Sequence, residues 1–266
     1  MIKSLRAFAH RCFRACGFEI MSLRNIDAAL AERQAQREAE RLRQLVALRA
    51  GVGRAWKGQR QGRGGETIDV SFVPAEELES AACSALQKAR VVLDIGCGIR
   101  PQPYLEADIH ICCEPAEMYL DRLMDQTANV SKYVYLQCGI NEAVRIFPPQ
   151  SVDTVFLVDV IEHLDRETGA HALERLSAIA RRQIAVFTPL GFMPQHRGPG
   201  EKDGWGMDGA TWQEHRSGWS PEDFPASDGW QVIACRDFHH TDGFGCPLAA
   251  PVGALWAIRT TAPSDP

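Results

Sequence analysis

Val91-Val-Leu-Asp-Ile-Gly-Cys-Gly-Ile-Arg-Pro101 runs from an apolar segment through a single acid into two alternate glycines. Val91 to Leu93 and Ile95 are strand formers, and Asp94 is the one polar interruption, as in a parallel strand covered on both faces. Gly96 and Gly98 lack the Cβ atoms that would hold a ligand away from the backbone. The stretch therefore predicts a buried strand whose carboxyl end opens into a tight loop, where open α/β sheets bind their ligands.

A dinucleotide fingerprint G-x-G-x-x-G would need glycine where Pro101 stands, so close helix packing over a pyrophosphate is not supported. The acid two residues ahead of the first glycine gives a different pattern. Asp94-x-Gly96-x-Gly98 resembles motif I of the class I S-adenosylmethionine (SAM) dependent methyltransferases, with Arg100 where that family usually has a third glycine. The resemblance implies S-adenosyl-L-methionine as cofactor, with Asp94 at its methionine end and Gly96, Cys97 and Gly98 lying against it. It extends over roughly residues 74–260.

The chain has 266 residues and is 45% hydrophobic, enough for one large domain with an appendage. No apolar run approaches the roughly 18 residues of a membrane span, and Arg6, Arg11 and Arg14 interrupt every run that a signal peptide would need. The expected location is cytoplasmic. Nine cysteines, an odd number without a C-x-x-C pair, read as reduced core thiols.

Charge divides the chain. Residues 1–65 carry 14 Lys and Arg against 5 Asp and Glu, whereas the remainder carries 15 against 29, and the whole is −5. Leu5, Phe8, Cys12, Phe13 and Cys16 recur at helical spacing beside three arginines. A basic amphipathic helix of this kind either touches an anionic membrane surface peripherally, at the inner face, or packs on its own domain. Residues 25–49 are rich in helix formers with an interrupted apolar seam, which leaves coiled-coil self-association open. The domain plan is a basic helical extension over 1–50, a Gly/Arg-rich linker over 51–73 and a methyltransferase-like domain over 74–262. One aromatic, Trp56, among four basic residues in 51–65 is thin support for nucleic-acid binding, and nucleic acid is not an expected partner.

From Pro74 onward, apolar strands alternate with helical patterns, the signature of a doubly wound α/β sheet. The resemblance implies seven strands in the order 3-2-1-4-5-7-6, the last antiparallel. The strand over 107–113 ends in Glu114 and Pro115, 20 residues past Asp94, where an acid can accept both ribose hydroxyls of a nucleoside. The next strand, 133–137, ends at Cys138-Gly-Ile-Asn141. By resemblance this loop borders the adenine, with Ile140 on the ring and Asn141 in place of the usual acid.

The fourth strand continues into Asp159-Val-Ile-Glu-His-Leu164, which looks like the family's D-x-V/I-E-H-L motif. The resemblance places Asp159 and Val160 beside the cofactor, and Glu162 and His163 near the transferring methyl, able to orient or deprotonate an acceptor. Residues 190–224 hold Gln195, His196, Asp203, Trp205, Trp212, His215 and Trp219, and read as a binding loop for a polyhydroxylated or heteroaromatic acceptor. His163 is the first candidate base, His215 the second and His196 the third. The implied activity is methyl transfer to a small-molecule or saccharide-like hydroxyl, with a role in bacterial glycan or surface polysaccharide assembly. The alternative is a binding or scaffold protein that keeps the fold without transfer, motivated by Arg100 and the missing acid at Asn141. An NAD-linked oxidoreductase fits least, because of Pro101. His239, His240 and Asp242 read as a polar turn, since adjacent histidines on an extended chain diverge, and no metal site is expected.

Overall fold

The computed structural model describes residues 56–61, 67–196, 200–243 and 245–261. The basic helical extension expected over 1–50, with its membrane or self-association role, lies outside the described residues. The elements are β1 (Trp56–Gln61), β2 (Thr67–Phe72), α1 (Ala75–Ala85), β3 (Val91–Ile95), β4 (Ile109–Cys113), α2 (Glu117–Thr127), β5 (Tyr133–Leu136) and α3 (Ile140–Ile146). There follow β6 (Val152–Val158), α4 (Arg166–Ile179), β7 (Ala180–Pro189), β8 (Trp230–Thr241) and β9 (Pro247–Thr260). None of the described helices is long and apolar enough to cross a membrane.

The nine strands among the described residues form one sheet in the order β1-β2-β8-β9-β7-β6-β3-β4-β5. Strands β3 to β7 are mutually parallel, while β9 runs antiparallel to both β7 and β8. Read from β5 to β8, this is the expected 3-2-1-4-5-7-6 order with the last strand reversed. Two strands are additional, and they correct the linker expected over 51–73. β2 joins β8 in parallel, and β1 pairs antiparallel with β2 at the sheet edge. The glycines and arginines around them masked a short period-2 pattern in which Ile68 and Val70 are buried and Asp69 lies between. A second correction concerns the expected polar turn at His239 and His240: β8 continues through both.

Strand alternation divides the core between the two faces. Leu93, Val155 and Leu157 face one side with Leu173, Leu176 and Ile179 of α4, and Val92 and Phe156 face the other with Leu78 and Ala82 of α1. Helix α1 starts after Pro74 with Glu76 and Glu77 in its first turn, where the helix dipole favours acids. The strand amino ends are closed by Asp153, which accepts from Arg90 N and Val91 N at 2.8 and 3.0 Å and pairs with Arg181 at 3.1 Å. Chemistry is left to the carboxyl ends.

Candidate active site

β3 and β4 end in register, Ile95 beside Cys113, so the loop that follows each strand meets the other. Gly96 and Gly98 turn with φ of 70° and 58°, the left-handed region. A Cβ on Gly96 would stand 2.7 Å from Val160 Cγ2, which binds the first motif to the one after β6. The Cys113 carbonyl accepts from Gly96 N and Cys97 N at 2.7 and 3.3 Å. Glu114 takes the rest, its Oε2 accepting from Gly98 N at 2.8 Å and its Oε1 from Ala116 N at 2.9 Å. Every N–H of the 96–98 turn is thereby committed inside the protein.

A pyrophosphate would need those same donors and would lie against the Glu114 carboxylate. Donors suit the turn better. Each Glu114 oxygen keeps a further lone pair, so the residue can still accept from vicinal hydroxyls. Burial pushes its pKa up, and the two N–H bonds oppose that shift without cancelling it. Asp94 is fully buried, and its Oδ2 accepts from Gln102 N at 2.7 Å and lies 3.0 Å from His110 Nε2. That carboxylate oxygen is thus occupied in fixing the loop after the glycines.

A roof covers the turn. Tyr119 of α2 donates to Asp203 Oδ2 at 2.5 Å, and Asp203 also accepts from Trp205 N, Met207 N and Gly209 N at 2.8, 2.8 and 3.0 Å. Burial raises the Asp203 pKa, but these four donors outweigh it and leave the group below its ordinary value. The Trp205 ring then stands edge-on to Tyr119, 4.7 Å between centroids, and its far edge rests on Gly98 in the space a Cβ would take.

The second cluster forms where β6 ends. Asp159 takes a left-handed φ of 53° and leads into a short 3-10 turn, Ile161–His163. The Glu162 carbonyl accepts from Arg216 N and Ser217 N at 2.7 and 3.0 Å, which fastens the distant 213–219 segment to this turn. Trp219, buried in the core, donates to Ser217 Oγ at 2.9 Å, and Ser217 Oγ donates to the Ile161 carbonyl at 3.1 Å. His163 and His215 are thereby brought edge-to-face, 4.9 Å apart. His163 Nδ1 donates to the Glu214 carbonyl at 3.1 Å, and His215 Nδ1 to the Met193 carbonyl at 2.7 Å. Burial lowers both imidazoles, His215 to about 4, its neighbour His163 adding to the shift.

Glu162 is 2% exposed; its Oε2 accepts from Thr188 Oγ1 at 3.0 Å, while its Oε1 is buried without a partner among the described residues. Burial pushes this carboxyl up to about 7. Asp159 is exposed and stands beside the buried Glu162 carboxyl. Desolvation, moderated by that exposure, and the adjacent Glu162 carboxylate push it up as well. His239 Nε2 is a further buried atom without a partner among the described residues, and His239 is close enough to His215 for their charges to oppose each other.

Of the sequence-predicted residues, Asp94, Gly96, Cys97, Gly98, Glu114 and Val160 meet at the β3 and β4 ends, and Pro115 packs beside Gly139 of the next loop. Ile140 is buried in the main core, whereas Asn141 is exposed on the first turn of α3. His196 stays outside the histidine cluster, exposed and paired with Glu214 at 2.7 Å. Tyr119 and Thr188 gave no motif signal, since each acts on a residue far away in sequence. His239 belongs to the expected polar turn, and its half-buried ring near His215 distinguishes it from His240, which is exposed and pairs with Asp237 at 3.2 Å.

No protein-family model matches the sequence, and no curated protein sequence matches it. Solved structures do. The N-methyltransferase NodS from Bradyrhizobium japonicum is 12% identical, with a TM-score of 0.46 over 71% of this chain and 94% of that one. Magnesium protoporphyrin IX methyltransferase (ChlM) from Synechocystis, solved with bound SAM, is 14% identical, with a TM-score of 0.41 over 70% and 79%. The YcgJ protein from Bacillus subtilis is 13% identical, with a TM-score of 0.45 over 70% and 99%. The overlaps are partial, and the chemistry of this chain rests on its own side chains.

Proposed function

We propose that this protein is a SAM-dependent methyltransferase whose acceptor is a hydroxyl of a small molecule or saccharide. The observation that carries the reading is the turn over 96–98, whose N–H groups are all spent on Cys113 and Glu114. Such a turn keeps acceptors for the hydroxyls of a nucleoside, and no free donors for a pyrophosphate. When bound, the cofactor supplies a methyl group already activated on a sulfonium, so the protein's task is alignment and exclusion of water. On this reading Glu114 holds the ribose hydroxyls, and Trp205 with Tyr119 forms an aromatic wall for the nucleoside. Ile140 and Asn141 remain the residues assigned to the adenine side.

The cluster of Asp159, Glu162, His163 and His215 follows β6, the neighbour of β3, and on this reading it serves the acceptor. Phe192, Trp205 and Trp212 are exposed around the loop over 190–224 and offer apolar faces to a ring-bearing acceptor. A glycan acceptor, peripheral membrane contact through residues 1–50 and a cytoplasmic location belong to this reading.

Calorimetric titration with SAM, its demethylated product and NADH tests it. Micromolar binding of either sulfur nucleoside, weakened at least about tenfold in Glu114→Gln by loss of one charged acceptor, is the expected result. NADH binding without sulfur-nucleoside binding would overturn the assignment. Absence of all three would leave the scaffold alternative.

A further inference from the structure

The donor set at the end of β6 exceeds what deprotonation of an acceptor requires. Glu162, His163 and His215 each offer one ligand atom, and the three atoms lie within 4.8 Å of one another. Both imidazoles donate from Nδ1 to a backbone carbonyl, of Glu214 and of Met193, and the Asp159 carbonyl is a second hydrogen-bonding neighbour of the His163 ring. A neutral ring that donates from Nδ1 carries its lone pair on Nε2, and a carbonyl on the opposite nitrogen is how proteins commonly orient a metal-ligating histidine. Glu162 is held in the same manner, by Thr188 Oγ1 on Oε2, while its buried Oε1 has no donor among the described residues.

We propose that Glu162, His163 and His215 bind one divalent first-row transition-metal ion of the zinc type, with one coordination position left open for a further ligand. Two imidazoles and one carboxylate favour such an ion over magnesium or calcium, which take oxygen ligands. Donors to one ion at about 2.0–2.2 Å lie no more than roughly 4 Å apart. The 4.8 Å cluster therefore closes on an ion by side-chain movement of under about 1 Å. Three protein ligands with one position left over is the arrangement of catalytic zinc sites. Asp159 sets a second carboxyl beside Glu162. The rival to the ion is a proton shared between the two carboxyls.

The role of the ion rests on the methyltransferase reading: its open position suits an acceptor oxygen, whose hydroxyl a bound cation makes more acidic. The two imidazoles then serve as ligands, and the acidity of the acceptor no longer depends on a basic histidine.

The test uses the full chain without a histidine tag, stripped with chelator, and titrated with cobalt(II) while visible absorption is followed. Zinc competition and metal analysis after dialysis give affinity and stoichiometry. The expected result is one ion per chain, with intense visible bands of a low-coordinate cobalt site. Loss of an outer partner commonly costs about 10–100-fold in metal affinity, so Thr188→Val should fall in that range. Glu162→Gln and His215→Gln should lose at least about 100-fold, each variant being checked for unchanged circular dichroism. His196→Gln and His240→Gln should bind as the wild type does. Failure to bind cobalt or zinc, or equal binding by Glu162→Gln, would overturn the proposal and leave the shared proton. A parallel titration with the demethylated cofactor separates the two readings. Nucleoside binding without metal binding sinks the ion alone, and metal binding without nucleoside binding sinks the methyl-transfer reading.

Discussion

The two halves of the candidate site differ in how completely they satisfy themselves. At the β3 and β4 ends, the 96–98 turn, Cys113 and Glu114 exchange hydrogen bonds, and Asp203 gathers four donors over the roof. At the β6 end, Glu162 Oε1 and His239 Nε2 are buried without partners among the described residues, and two acids stand side by side. An unpaired buried polar group costs about 1–3 kcal/mol, more when charged, so a fold retains such groups where they have a use. The first half has the features of a finished receptacle. The second has those of a site that expects a proton, an ion or a substrate.

The contrast is open to attack by mutation. Trp219→Ala should have the largest effect, about 3–5 kcal/mol of lost stability in a urea titration, because it empties a core position and frees the strap over 213–219. If the halves are separable, nucleoside affinity in this variant, measured where it remains folded, should change little. Gly96→Val comes next. Strain in the left-handed region, about 1–2 kcal/mol, adds to about 1–3 kcal/mol of overlap with Val160, and cofactor binding should vanish while cobalt binding at the β6 end survives. Loss of both would show that the halves share one support.

Tyr119→Phe removes one of the four donors to Asp203, and about 1.5 kcal/mol is expected, the lower end for a charged acceptor. Faster amide exchange confined to residues 203–209 would mark the roof as an independent flap. The smallest effect concerns Glu114. Its folded pKa lies above the ordinary 4.5, so the folded chain holds this proton more firmly than the unfolded chain does. The contribution to stability is complete below about pH 4.5 and is lost as the pH rises through the folded value. The stability of Glu114→Gln relative to wild type should therefore rise over that window, and a flat difference would mean that the carboxylate is fully relieved by its two N–H donors.

Legibility in the sequence followed chain distance. The glycine turn and the acid after β4 were visible directly, since each depends on residues within one strand and its loop, whereas the order of the seven strands from β3 to β9 followed only from the resemblance that those residues carry. β1 and β2 were not, because Ile68 and Val70 are too few to outweigh the glycines and arginines around them. His215 was named as a candidate, yet nothing in its neighbours places it 4.9 Å from His163. That placement comes from the Glu162 carbonyl holding Arg216 N and Ser217 N, and from Trp219 seated in the core. For the same reason His196, equally plausible by residue type, stays on the surface with Glu214.

By itself the sequence determined the doubly wound sheet and the position of its glycine turn, because strand periodicity, glycine spacing and a strand-end acid act over a few residues. Only the tertiary structure decided which histidines meet Glu162, which N–H groups the turn has already spent, and which buried atoms are left over. Those are outcomes of segments some 50 residues apart competing for the same space and the same hydrogen-bond partners, and that competition is settled when the sheet and its loops pack.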